Sequence, residues 1–338
     1  MCWSSSSGIR APHGCQRNNK FIKHSRGLFH RVGGAKTQRV SARAQIRKKA
    51  NRGLGGANMA TNSVAVRLVS DGTFLLDGGP MFGPVPKILW AQNAKPDRKN
   101  RVRLGLNSLL IKTPEANILV DAGIGNKEPE ITREIYGHSS SKLLRNLRHQ
   151  GVSAREVNYV ILTHLAFSHS GGATRLDREG NVIPTFPKAK YLVQRAAWDE
   201  AFAPNERSVP VYGPGVDHLR ILNEKGMIEL LDGDTEVVSG VHTIVTDGYS
   251  DGHQVVLVNT GSERIIYLAN LIPTPDHIPL PYITAFDRYP DQTLAMKKEL
   301  LDRCEKEGWL MVFAHGYHHS AGYLERRHGN VELRPVNF

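Results

Sequence analysis

The sequence predicts a layered α/β or α+β domain over residues 61–338, and three observations predict it. Short runs rich in Val, Ile, Leu and Tyr recur along the chain at strand length. Two longer stretches carry helical periodicity among those runs, the alternation that layered domains show. No repeat of about 20 to 50 residues is present, and no shift of composition after residue 60 marks a second domain.

The first 60 residues stand apart. They hold 13 Lys and Arg and no Asp or Glu, which leaves 31 basic against 32 acidic residues for the rest. The formal charge of +12 over 338 residues therefore belongs to this segment, and the remainder is near neutral. Rich in Ser, Arg and Gly, and without an apolar stretch of signal-peptide length, the segment resembles an organellar transit peptide for the mitochondrial matrix or a plastid. Three other readings fit the same composition: a basic arm that binds nucleic acid, an upstream extension ahead of a start at Met59, which would leave a cytoplasmic protein, and a solvated disordered tail. No run of about 18 apolar residues occurs, so no membrane span is expected.

In chain order, Val64 to Val69 alternates like a half-buried strand, and Asp71-Gly72 then predicts a hairpin turn. Further strands are predicted at Leu104–Ile111, Asn117–Val120, Val157–Leu162, Lys190–Val193, His253–Val258, Arg264–Leu268 and Leu310–Phe313. A helix is predicted over Ser140–Gln150, with Leu143, Leu144 and Leu147 on one face and Gly151 as a stop. A second runs over Asp291–Glu307, between Pro290 and Gly308. Of the cysteines, Cys2 and Cys15 fall in the basic segment and Cys304 in the second helix, where a small buried thiol is expected. No disulfide framework and no CxxC metal knuckle is available to the domain.

The run Val160-Ile161-Leu162-Thr163-His164-Leu165-Ala166-Phe167-Ser168-His169-Ser170-Gly171-Gly172 is an apolar strand ending in a histidine-bearing loop. It is similar to the metallo-β-lactamase superfamily motif T-H-x-H-x-D-H-x-G-G. Four more segments resemble that family in the same order. Asp77 to Lys87 resembles the opening segment of its lactonase-like branch, and Leu119-Val120-Asp121-Ala122-Gly123 resembles LVDTG. Thr246 to Gln254 is similar to T-P-G-H-x-x-G-H-Q, Tyr267 to Pro273 to the segment ending G-D-L, and Val312 to Gly316 to the strand bearing the last His. The resemblance covers about residues 64–325 and implies an αββα sandwich.

It also implies a ligand set. His164, His169 and His315 stand where the family has metal-binding histidines, while Ala166, Ser168, Tyr249 and Asn270 stand where it has His, Asp, His and the bridging Asp. Zinc needs neutral imidazole or ionised carboxylate to hold it and to lower the pKa of its bound water. Ala offers no donor atom, Asn no charge, and Tyr only a costly phenolate. Loss of even an outer partner weakens metal affinity roughly 10- to 100-fold, so a dinuclear site is not expected.

The expected protein is thus a pseudoenzyme with no cofactor, kept as a structural or interaction component of an assembly with a protein partner. The alternative is a hydrolase of a lactone, ester or thioester with one zinc ion on His164, His169 and His315. His253, His318 and His319 read as structural histidines. Ser168, Ser170 and Ser250 lack a G-x-S-x-G elbow, Asp247 and Asp251 read as turn residues, and Gly171 and Gly172 as a tight turn.

Overall fold

The computed structural model describes residues 64–127, 130–138, 140–213, 215–327 and 330–338. The basic segment of residues 1–60, with its transit-peptide and nucleic-acid readings, lies outside the described residues. In chain order the strands are β1 (Ala65–Asp77), β2 (Arg101–Lys112), β3 (Asn117–Val120), β4 (Tyr159–Ile161), β5 (Thr174–Leu176), β6 (Val182–Pro184), β7 (Lys190–Gln194), β8 (Ile228–Leu231), β9 (Thr235–Val238), β10 (Val241–Val245), β11 (Gln254–Asn259), β12 (Arg264–Tyr267), β13 (Leu310–Val312), β14 (Ala321–Arg327) and β15 (Asn330–Pro335). They form a six-stranded sheet ordered β1-β2-β3-β4-β7-β8, a seven-stranded sheet ordered β15-β14-β13-β12-β11-β10-β9, and a β5-β6 ribbon.

Side-chain alternation decides what each sheet faces. Ile111, Ile118, Val120 and Ile161 of the first sheet meet Val256, Val258, Ile265 and Val312 of the second, which makes the centre of a sandwich. The neighbours Leu110, Leu119, Val160 and Tyr191 point the other way, under helices Leu143–His149 and Arg195–Phe202. On the far side, Ile266, Met311 and Phe313 take Leu300 and Cys304 of helix Pro290–Glu307. The layers are therefore αββα. Strands covered on both faces read as unbroken apolar runs, which is why they stood out in the sequence. The long helix begins with Pro290 and ends at Gly308 in the left-handed region, φ 67°, whose N–H reaches the Cys304 carbonyl.

Three sequence expectations need correction. Asp71-Gly72 is no hairpin turn: β1 continues through it to Asp77 with a bulge between Ser70 and Gly72. The bulge turns Asp71 inward, and its carboxylate accepts the N–H groups of Lys142 and Leu143 at 2.9 and 3.0 Å and the Ser141 hydroxyl. That contact fixes the start of the helix expected over Ser140–Gln150 at Leu143, because the preceding residues bond Asp71. Gly171 and Gly172 have ordinary φ; their need for glycine is close approach, since a side-chain carbon would lie 2.3 Å from the Ile124 carbonyl and 2.0 Å from that of Ala122.

Candidate functional site

Four chain segments meet at one edge of the two sheets. β4 runs out into Leu162–Ser170, the β10–β11 connection supplies Tyr249, the chain after β12 brings Asn270, and β13 leads to His315. All seven positions singled out in the sequence gather there: His164, Ala166, Ser168, His169, Tyr249, Asn270 and His315 are buried, none more than 8% exposed. The His164 ring lies 4.2 Å from that of His169 and 4.8 Å from that of Tyr249, and the His169 ring 4.9 Å from that of His315.

Hydrogen bonds assign the protons. Asp121, at the end of β3 with φ 59°, accepts the Thr163 N–H at 2.9 Å, the Thr163 hydroxyl at 2.9 Å, the Tyr267 hydroxyl at 3.1 Å and His169 Nδ1 at 2.6 Å. His164 Nδ1 then donates to Thr163 Oγ1 at 3.0 Å, which leaves its Nε2 to accept from Asn270 Nδ2 at 3.1 Å. His315 Nδ1 donates to the Gly105 carbonyl at 2.8 Å, so its Nε2 is an acceptor too. Facing it at 3.0 Å is His169 Nε2, which also stands 3.1 Å from Asn270 Oδ1. His169 Nε2 thus stands between the Asn270 amide oxygen and the His315 ring and closes the hydrogen-bonded chain. Asn270 is the keystone. Its amide spans His164 and His169, its N–H donates to His253 Nε2 at 3.2 Å, and it follows Ala269, a non-glycine residue at φ 46°.

Burial keeps the surroundings neutral. His315 and His253 are each pushed down to about 3, by burial first and then by the neighbouring His169. His164 is held well below its ordinary value by burial and by the other histidines, and burial raises the Tyr249 phenol above its ordinary value. Above this floor lies a cavity of about 360 Å³ with walls of Phe74, Met81, Tyr136, Phe167, Val211 and Phe286.

These side chains do not fit the two-zinc centre that the resemblance implies. The methyl of Ala166, the hydroxyl of Ser168, the buried phenol of Tyr249 and the amide of Asn270 provide no anionic donor, and the imidazole edges are committed to one another and to Asn270. Among the described residues no group of three or more His, Cys, Asp or Glu is arranged to hold a metal ion.

The other sequence readings divide. Ser170 donates its hydroxyl to the Leu165 carbonyl at 3.0 Å, Ser250 is buried, and among the described residues no hydrogen bond joins the hydroxyl of Ser168, Ser170 or Ser250 to a histidine ring. Asp247 is an exposed turn residue that accepts the Gly252 N–H at 2.8 Å, and Asp251 pairs with Arg288 at 3.1 Å. Cys304 is buried, its thiol pushed up to about 12 by burial. His253 is structural as expected, whereas His318 and His319 are exposed rather than packed. Sequence reasoning missed Thr163 and Tyr267 as supports of Asp121; the hydroxyl of Thr163 directly before His164 was the one available signal.

Comparison with known proteins agrees with this architecture. The sequence model of the metallo-beta-lactamase superfamily matches residues 101–315. An N-acyl homoserine lactonase of Bacillus cereus is 25% identical over 186 residues, 50% of this chain and 64% of that protein. One of Bacillus thuringiensis is 25% identical over 226 residues, 61% of this chain and 79% of that protein. Among solved structures, a probable metal-dependent hydrolase from Staphylococcus aureus superposes with a TM-score of 0.72 at 26% identity, covering 83% of this chain and all of that one (100%). A dizinc quorum-quenching lactonase in complex with its product gives 0.67 at 20% identity, over 81% of this chain and 95% of its own. With the family's sequence model matched across the strands and loops that carry the histidine cluster, the chain belongs to the metallo-beta-lactamase superfamily.

Proposed function

We propose that this protein is a degenerate member of a hydrolase family, inactive as a dinuclear zinc hydrolase and kept as a structural or interaction component of an assembly. One observation carries the reading: the Asn270 amide joins His164 to His169 where the resemblance puts a bridging carboxylate. An amide there satisfies the imidazoles through hydrogen bonds, so the site holds together by protons and dipoles. The apolar cavity above it remains a pocket for a small molecule.

The test is thermal unfolding with and without a strong chelator. A metal that holds the fold contributes its binding energy to stability, so removal lowers the midpoint. An unchanged midpoint is expected, and a fall of more than about 5 °C would overturn the proposal.

A second reading is favoured by the 3.0 Å approach of His169 Nε2 to His315 Nε2. It is hydrolysis of a lactone, ester or thioester with one zinc ion on His164, His169 and His315. Its own test is His169→Ala, which must remove both metal and turnover; activity that survives the substitution rejects it. The family relatives named as lactonases make N-acyl homoserine lactones the first substrates to assay.

A further inference from the structure

A second cleft lies on the other side of His315, of about 610 Å³ against about 360 Å³ for the cavity over the histidines. Its floor is apolar. Phe82, Val102 and Leu104 are buried there, and Phe82 is clamped between the rings of Trp90 at 4.9 Å and His277 at 4.8 Å. Its rim is basic, and three local structures make it so. β2 alternates, so that Val102 and Leu104 go inward and Arg103 outward. Helix Lys87–Ala94 ends at Lys95, which is exposed with φ 37°. After β13 the chain turns at Gly316, where a side-chain carbon would lie 2.2 Å from the His319 carbonyl, and this tight turn presents Tyr317, His318 and His319 to solvent.

The charge is unspent. Among the described residues Lys95, Arg103, His318 and His319 form no ion pair, and Arg103 lies 5.7 Å over the Tyr317 ring with one guanidinium nitrogen donating a long hydrogen bond, 3.5 Å, to the Thr73 hydroxyl. Asp276 is the one acid among the described residues of the lining, and burial holds its carboxyl above the ordinary range against the opposing pull of His318 and His319. A concave surface with uncompensated cations over an apolar floor attracts an anion with an apolar body. A guanidinium binds an oxyanion through two parallel N–H groups, and a planar body stacks or packs on the aromatic wall.

We infer that this cleft binds a small organic anion, phosphate- or carboxylate-bearing with an aromatic or apolar body, held at its oxyanion by Arg103 and Lys95. The site touches the Asn270 network only at His315 and stands whether or not that network is catalytic. Calorimetric titration of the whole chain with adenosine monophosphate, its neutral parent adenosine, and benzoate tests it. At least one of the two anions is expected to bind with a Kd below about 1 mM, with adenosine about tenfold weaker or worse.

The doubly substituted Lys95→Gln, Arg103→Gln chain is expected to lose at least about tenfold in that affinity. Its unfolding midpoint should be unchanged, because both side chains are exposed. Absence of binding by both anions, equal binding of adenosine, or full affinity in the double variant would each overturn the inference. The last outcome would assign any affinity to the basic segment of residues 1–60 instead.

Discussion

Asp121 is the residue on which the site turns, since a single buried carboxylate accepts from Thr163, His169 and Tyr267. Asp121→Asn keeps the shape but removes the charge facing His169 and replaces one acceptor with a donor. A cost of about 2 to 4 kcal/mol is expected in urea denaturation, because partners of a buried charge are left unmatched. A second residue has a pH signature. Lys297 is fully buried, donates to the carbonyls of Pro279 at 2.7 Å and Tyr282 at 2.9 Å, and burial holds its ammonium down to about 7. The unfolded chain then binds that proton more tightly than the folded one. The stability from this lysine is fully present above its ordinary value of 10.5 and is lost as the pH falls through about 7. Relative to Lys297→Met, the natural chain should gain about 2 kcal/mol between pH 7 and pH 9, measured by denaturation at each pH; a flat difference contradicts this. The three histidines were legible in the sequence because the segments that carry them resemble the family's histidine-bearing motifs. Asp71 was not, because its partner Leu143 is remote in sequence and a lone Asp-Gly pair reads as a turn.

At the level of elements, the central strands were legible and the borders were not. β3 was expected and found at Asn117–Val120, as an unbroken apolar run covered on both faces. β14 and β15 escaped notice because the charged run Glu325-Arg326-Arg327 and Pro335 interrupt their apolar residues, and because they hold together partly through Arg334 and Glu325, which the sequence alone does not pair. The 3₁₀ turn Gly171–Ala173 shows how elements are fastened at the site. Gly172 lies against the segment after β3, its N–H reaching the Gly123 carbonyl at 3.0 Å. Gly172→Ala would drive a methyl to 2.0 Å from the Ala122 carbonyl, so either backbone must move. Destabilisation of about 2 kcal/mol or more is expected, together with altered near-ultraviolet signals from Phe167; an unchanged midpoint contradicts the close-approach account.

For the whole molecule, the family fold persists while donor atoms at its centre differ from those the resemblance implies. A fold hosts many functions, so the αββα sandwich does not by itself carry hydrolysis. The separation of charge belongs to this scale too, because the +12 lies in residues 1–60 and leaves the rest near neutral. Residues 1–60 fused to a fluorescent protein should direct it to a mitochondrion or plastid, whereas the chain begun at Met59 should remain in the cytoplasm; cytoplasmic fluorescence from the first fusion contradicts the targeting reading. The most direct measurement of the central claim is elemental analysis of protein purified from zinc-supplemented cells and dialysed without chelator. Well under one zinc ion per chain is the expected result. Two tightly held ions per chain would show that the site around Asn270 still functions as a dinuclear centre.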